Sequence, residues 1–256
     1  MDAVRLFVLG ATGLMSIALA GTGVLLTEYA LACRRGFLPP DGAPMQDTVV
    51  GARSGPALRL AMLGDSTACG VGVREGAETV GGQLAQAVAA TGRCVRLSSS
   101  AVANSAAGDL GPQVSRALLG HPDVAVILIG AGDVRRCSAI SRSAERLGGA
   151  VRRLSEAGVR VVVGTCPDLG STPAWPQPLR TVIGARGAML ATAQAAATRV
   201  AGGTAVDLAA RTGRVFRADR GTYCEDRLHP SADGYRLWAE ALLPAVTRAA
   251  GTPATI

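Results

Sequence analysis

Hydrophobic positions along this chain fall into two alternating textures. Short apolar runs at residues 57–63, 94–99, 123–129, 159–165 and 204–208 are separated by longer stretches in which apolar residues recur every three or four positions. Val124-Ala125-Val126-Ile127-Leu128-Ile129 and Val161-Val162-Val163 are nearly continuous and rich in β-branched residues, the pattern of strands covered on both faces. Between the runs, Val80, Leu84 and Val88 repeat at four-residue spacing and stop at Gly92. Ile140, Ala144, Leu147, Val151 and Leu154 form a helical stripe ending at Gly158, placed as a C′ glycine, and Leu237, Trp238, Ala241, Leu242 and Ala245 form a last stripe. Five strands separated by helices require right-handed crossovers between parallel strands, which predicts a three-layer α/β/α domain over residues 57–256. In such sheets ligands bind outside the carboxyl ends of the strands. Ser66 follows the first run, Gly108 lies some way past the second, Gly130 follows the third and Cys166 the fourth, so they share one rim.

The two segments before this domain read differently. Residues 6–27 carry no charge, and 22 residues at ~1.5 Å each reach roughly 33 Å, enough to cross a bilayer. Residues 1–35 are therefore expected to be a single-pass membrane anchor, with a cleaved signal peptide as the alternative because Ala18-Leu19-Ala20 offers small residues for cleavage. Arg34 and Arg35 after the span argue for a domain on the cytoplasmic side. Residues 36–56, with Pro39, Pro40, Gly42, Pro44, Gly51, Gly55 and Pro56, read as a linker.

Composition narrows the function. With 48% apolar and 18% charged residues in 256 positions, the chain can bury a sizeable core. All 26 basic residues are arginine and the net charge is +7, but the arginines are scattered and aromatics make up 3%, which argues against a nucleic-acid surface. Only two histidines are present and no Cys/His spacing suits zinc, so neither metal nor cofactor is expected.

The chemistry concentrates in two places. Gly64-Asp65-Ser66 ends the first apolar run and exposes a serine at the carboxyl end of a buried strand, and Asp226-Arg227-Leu228-His229-Pro230 lies far downstream. A serine hydroxyl is a weak nucleophile until a base takes its proton, and His229 is the candidate base. Asp226, three residues earlier, is placed to hold the other imidazole nitrogen and stabilise the imidazolium. Pro230 and Ser231 open the last helix and anchor that loop. His121 precedes the third strand, at the opposite end of the sheet, and reads as a solvated turn residue. Asp65 and Asp133 are assigned to capping of turns and helix starts.

Gly64-Asp65-Ser66, Gly108 within Asn104-Ser105-Ala106-Ala107-Gly108-Asp109, Gly130-Ala131-Gly132-Asp133, and Asp226-x-x-His229-Pro230 occur in the order of the blocks of the SGNH (GDSL-type) hydrolases, which residues 57–248 resemble. The resemblance implies a flavodoxin-like sheet and hydrolysis of carboxylic esters or thioesters through an acyl-enzyme. It also implies an oxyanion hole built from the N–H groups of Ser66 and Gly108 and an asparagine side chain. The asparagine position is Gly132, and the chain's single asparagine is Asn104. Loss of one oxyanion donor typically costs ~10²–10³ in turnover. A rearranged Gly132 N–H, a bound water, or Asn104 swinging in would each compensate, with backbone or water ranked ahead of Asn104.

Cys137, four residues after Asp133, and Cys224, two before Asp226, both fall on the active-site rim. A disulfide between them would tie down the catalytic loop and require an oxidising compartment; buried free thiols are the alternative. That leaves the side of the membrane open. The sequence thus predicts a membrane-anchored serine esterase for small or lipid-like acyl esters, with loops 134–138 and 167–180, including Trp175, lining the pocket. An attenuated relative that binds an acylated ligand or partner, or an enzyme transferring acyl groups to a sugar hydroxyl, are the alternatives.

Overall fold

The computed structural model describes residues 21–25, 27–31 and 47–251. From Thr48 onward the chain forms six strands and eight α-helices in the order β1 (Thr48–Val50), β2 (Ala57–Gly64), α1 (Ser66–Cys69), α2 (Val80–Ala89), β3 (Cys94–Ser99), α3 (Leu110–Leu119), β4 (Val124–Leu128), α4 (Ala131–Arg135), α5 (Ile140–Glu156), β5 (Arg160–Gly164), α6 (Leu179–Val200), β6 (Thr204–Val206), α7 (Leu208–Ala218) and α8 (Ala232–Ala250). The strands form one sheet in the order β1-β3-β2-β4-β5-β6. The five strands from β2 to β6 pair in parallel, as the apolar runs predict.

The sheet differs from the expected five-stranded parallel one at its edge. β1 adds a sixth strand, antiparallel to β3 with Val49 opposite Arg96, and it arises inside the segment read as a linker. Three residues among glycines and prolines are too short for a recognisable periodicity. Their partner is set instead by tertiary contact, including the Ser99 N–H donated to the Asp47 carboxylate at 2.9 Å.

Alternation along the central strands sorts side chains between two layers. Leu58, Leu60, Met62, Val124, Val126 and Leu128 pack in one cluster with Leu84 and Val88 of α2 and Tyr235, Trp238 and Leu242 of α8. Ala61, Leu63, Ala125 and Ile127 point the other way, onto Leu110 and Val114 of α3 and Leu147, Val151 and Leu154 of α5. Both faces of β2 and β4 are thereby dry, which explains their nearly continuous apolar sequence. Each fully buried leucine contributes roughly 1.5–3 kcal/mol. Strand order reverses across β2: β3 lies on one side, β4 on the other, and their diverging connections open a crevice at the carboxyl ends of β2 and β4.

Residues 21–25 and 27–31 are helical and dock beside α6. Leu25 and Tyr29 join a third apolar cluster with Val134, Leu169, Trp175, Leu179 and Ile183. The Tyr29 ring stacks on Trp175 with centroids 6.1 Å apart. The Glu28 carboxylate accepts the Leu179 N–H at 2.9 Å, satisfying a donor at the start of α6. Among the described residues no helix is long and apolar enough to cross a membrane. Most of the uncharged run at 6–27, read above as an anchor, lies outside the described residues.

Candidate active site

The turn after β2 is shaped by one glycine. Gly64 has φ +137°, and a Cβ there would lie 1.8 Å from the Leu128 carbonyl oxygen of neighbouring β4. Only glycine permits that approach. Asp65 then donates its N–H to the same carbonyl at 3.0 Å. Its carboxylate, buried, caps α1 by accepting the Thr67 N–H at 3.0 Å and the Thr67 hydroxyl at 2.8 Å. Asp65 therefore has the capping role expected of it. Burial pushes its pKa up, against the opposing pull of the Thr67 bonds and the His229 and Arg135 charges. Ser66 occupies the first position of α1, where its N–H has no acceptor within the helix.

A residue the sequence reading missed holds this turn in place. Gln113, buried on α3, accepts the Gly64 N–H at 2.8 Å and donates to the Gly64 carbonyl at 3.0 Å and to the Ser105 hydroxyl at 3.1 Å. Gln194 of α6 does the same across the next strands, donating to the Ile129 carbonyl at 2.9 Å and accepting the Cys166 N–H at 2.7 Å. Both glutamines interrupt otherwise apolar helix faces, which is the signal that would have found them.

The loop after β3 brings the Asn104 N–H to within 2.9 Å of Ser66 Oγ. Asn104 has φ +62°, a conformation asparagine tolerates better than most residues. Its side-chain oxygen accepts from Arg135 at 3.1 Å and its carbonyl from Arg136 at 2.7 Å. Gly108, expected to give the second oxyanion donor, lies outside the cleft that holds Ser66, and its Cα faces Arg146. The left-handed turn that presents an amide to the serine falls four residues earlier than the glycine suggested. Asp133, buried in α4, pins the same loop by accepting the Ala107 N–H at 3.0 Å, while the Ser143 hydroxyl donates to its other oxygen at 2.7 Å. Gly132 lines the cleft. A Cβ on it would sit 2.1 Å from the Ser105 carbonyl oxygen, so no side chain fits at that position unless the backbone opposite moves.

The second half of the site is a tight loop before α8. Tyr223 and Pro230 form an antiparallel bridge, and Cys224 donates its N–H to the His229 carbonyl at 2.9 Å. His229 Nδ1 lies 2.6 Å from Asp226 Oδ2, while Asp226 Oδ1 accepts the N–H groups of Leu228 at 2.8 Å and His229 at 2.9 Å and the Cys224 thiol at 3.0 Å. Burial opposes ionisation of this carboxyl, but the His229 and Cys224 bonds outweigh it and hold the pKa below the usual carboxylate range. An ionised Asp226 fixes the proton on Nδ1 and leaves Nε2 as the basic nitrogen. Ser231 caps α8 by accepting the Gly234 N–H at 3.3 Å.

Ser66, Asn104 and His229 line one cleft of about 830 Å³ counting its open mouth, walled by Leu169, Trp175, Ile183, Phe216, Tyr223 and Trp238. The expected contribution of Trp175 and the 167–180 loop is thus seen in place. His121 lies exposed before β4, at the other end of the sheet. Cys137 and Cys224 are both free, so no disulfide joins them. The Cys224 thiol is turned to Asp226, and burial together with that carboxylate pushes it up to about 12. Among the described residues no three His, Cys, Asp or Glu side chains cluster to hold a metal ion.

The comparisons with known proteins point the same way as this geometry. Residues 62–237 match the model of the GDSL-like Lipase/Acylhydrolase family. The chain belongs to that family. It is 39% identical over 253 residues to a GDSL-like esterase of Mycobacterium tuberculosis, spanning 93% of this chain and 80% of that protein. A lipase/acylhydrolase from Enterococcus faecalis shares the fold at a TM-score of 0.60 and 18% identity, over 78% of this chain and 100% of its own. A psychrotrophic esterase from Pseudoalteromonas sp., solved with monoethylphosphonate as inhibitor, does so at 0.57 and 15%, over 74% and 97%. Membership in a family of esterases makes this acylhydrolase a serine esterase-type enzyme.

Proposed function

We propose that this acylhydrolase cleaves carboxylic esters with small or lipid-like acyl groups through an acyl-enzyme on Ser66, with His229 as base and Asp226 as its orienting partner. The observation that carries the reading is the Asp226–His229 pair sharing an apolar-walled cleft with a serine whose Oγ already touches a backbone donor. Ser66 Oγ attacks the ester carbonyl as His229 Nε2 takes its proton, and Asp226 stabilises the imidazolium formed. The oxyanion forms two bonds from Oγ, on the carbon that Oγ attacks. An Asn104 N–H that reaches Oγ in the resting state is therefore placed to shift onto it, beside the Ser66 N–H. The imidazolium gives its proton to the departing alcohol. Water, deprotonated by His229, then attacks the acyl carbon, releasing the carboxylic acid and restoring Ser66. The apolar walls suit the acyl side of the substrate. We read the N-terminal segment as the anchor that keeps this cleft beside a membrane, a reading supported by the lack of charge in residues 6–27 alone and opposed by the packing of Leu25, within that run, on the domain.

The test is hydrolysis of p-nitrophenyl esters from acetyl to dodecanoyl by the full chain and by Ser66→Ala. Turnover lost in the variant at every chain length supports the reading. Equal background from both proteins would favour instead a protein that binds acylated ligands without cleaving them.

A further inference from the structure

Two observations bear on a side-chain donor for the oxyanion. Gly132 faces the Ser105 carbonyl so closely that the position cannot carry an amide. Asn104, on the loop that closes against Gly132, lines the cleft next to Ser66, with three of its four polar groups already engaged. Its N–H meets Ser66 Oγ at 2.9 Å, its carbonyl accepts from Arg136 at 2.7 Å, and its side-chain oxygen accepts from Arg135 at 3.1 Å. A guanidinium only donates, so Arg135 fixes which end of the amide is oxygen and leaves the N–H₂ as the end free to donate. Resting on the esterase reading above, we propose that Asn104 is a catalytic residue that supplies two oxyanion donors, its backbone N–H and its side-chain Nδ2–H. Arg135 is the positioning residue that sets the rotamer of the amide. The left-handed backbone at Asn104 makes the double role possible, because it turns the main-chain amide to the serine while the side chain stays on the cleft wall. One residue thereby replaces a backbone donor at one block and a side-chain donor at another.

The same backbone conformation provides a clean test. Asn104→Gly keeps φ positive without strain and keeps the N–H, removing the amide alone. For p-nitrophenyl acetate the full chain carrying this substitution is expected to lose ~10²-fold in kcat at little-changed KM, with an unaltered melting temperature. Arg135→Ala is expected to slow the wild type by a smaller factor, with partial rescue by Arg135→Lys, and to add nothing in the Asn104→Gly background. A kcat for Asn104→Gly within twofold of wild type would overturn the proposal. So would an Arg135→Ala effect that persists in full in the double variant, since Arg135 would then act on the substrate directly. Failure of the esterase reading is separately visible: wild-type turnover would then survive Ser66→Ala.

Discussion

Placing an asparagine at Gly132 is the substitution that the resemblance to the family invites, and the structure predicts that it fails. In Gly132→Asn the new Cβ meets the Ser105 carbonyl oxygen at 2.1 Å, where ordinary contact begins at 3.4 Å. Ser105 must therefore retreat by more than an ångström. It cannot do so freely, because its hydroxyl is held by Gln113 at 3.1 Å and the Ala107 N–H two residues on is held by Asp133 at 3.0 Å. Overpacking of this kind costs about 1–3 kcal/mol, which for a domain of this size lowers the melting temperature by roughly 2–12 °C. The displaced loop carries Asn104, so kcat should fall by at least ~10-fold by loss of aligned oxyanion donors. Gly132→Ala, which adds the same Cβ without an amide, should reproduce most of both effects. Thermal unfolding and p-nitrophenyl acetate kinetics on the three proteins decide the matter. A Gly132→Asn protein with the wild-type melting temperature and a raised kcat would refute the reasoning.

Other perturbations separate the remaining roles. Asp226→Asn should lower kcat by on the order of 10³–10⁴ with KM little changed, because the amide no longer fixes the Nδ1 proton. Asp226 has a depressed folded pKa, so its contribution to stability is complete above its ordinary value of 3.8 and is lost as pH falls below that; acid unfolding of Asp226→Asn should lack this component. Asp65 has the opposite sign: its raised folded pKa means that stability falls as pH rises from 3.8 through that value. Urea midpoints of Asp65→Asn, which keeps a capping oxygen for Thr67, should be flatter with pH there than those of the wild type. Tyr29→Ala removes the ring stacked on Trp175 and should destabilise the chain by about 1 kcal/mol. It should raise KM for dodecanoyl esters while leaving acetyl esters within twofold, as read from the chain-length series.

The layered fold was legible because it is written in periodicity. Alternate residues of Ala57–Gly64 and Val124–Leu128 must satisfy two dry faces, and helix stripes such as Leu147, Val151 and Leu154 must face one of them. The edge strand Thr48–Val50 was not, because three residues are too few to show a period and their partner, Val95–Leu97 of β3, lies more than 40 positions away. Residue type and order singled out Ser66, Asp226 and His229, and the fold puts Ser66 and His229 on one cleft with Asp226 bonded to the imidazole. The sequence points to Gly108 as the residue beside Ser66, whereas the fold brings Asn104 there, for a physical reason. Glycine is the default reading for a backbone that must turn left-handed, and here Asn104 makes that turn with two arginines bonded to it. Gln113 and Gln194 show a third limit: a polar residue on a buried helix face is visible locally, but the groups it bonds, up to 49 and 65 positions away, are not.

The account rests on Ser66 as the nucleophile, and covalent trapping tests that most directly. The full chain is incubated with a p-nitrophenyl alkylphosphonate, and intact mass, peptide mapping and residual esterase activity are followed together. The account predicts one adduct per chain, located on Ser66, with activity falling in step with labelling and no labelling of Ser66→Ala. An adduct on another residue, or full activity in a chain whose Ser66 is completely modified, would contradict it.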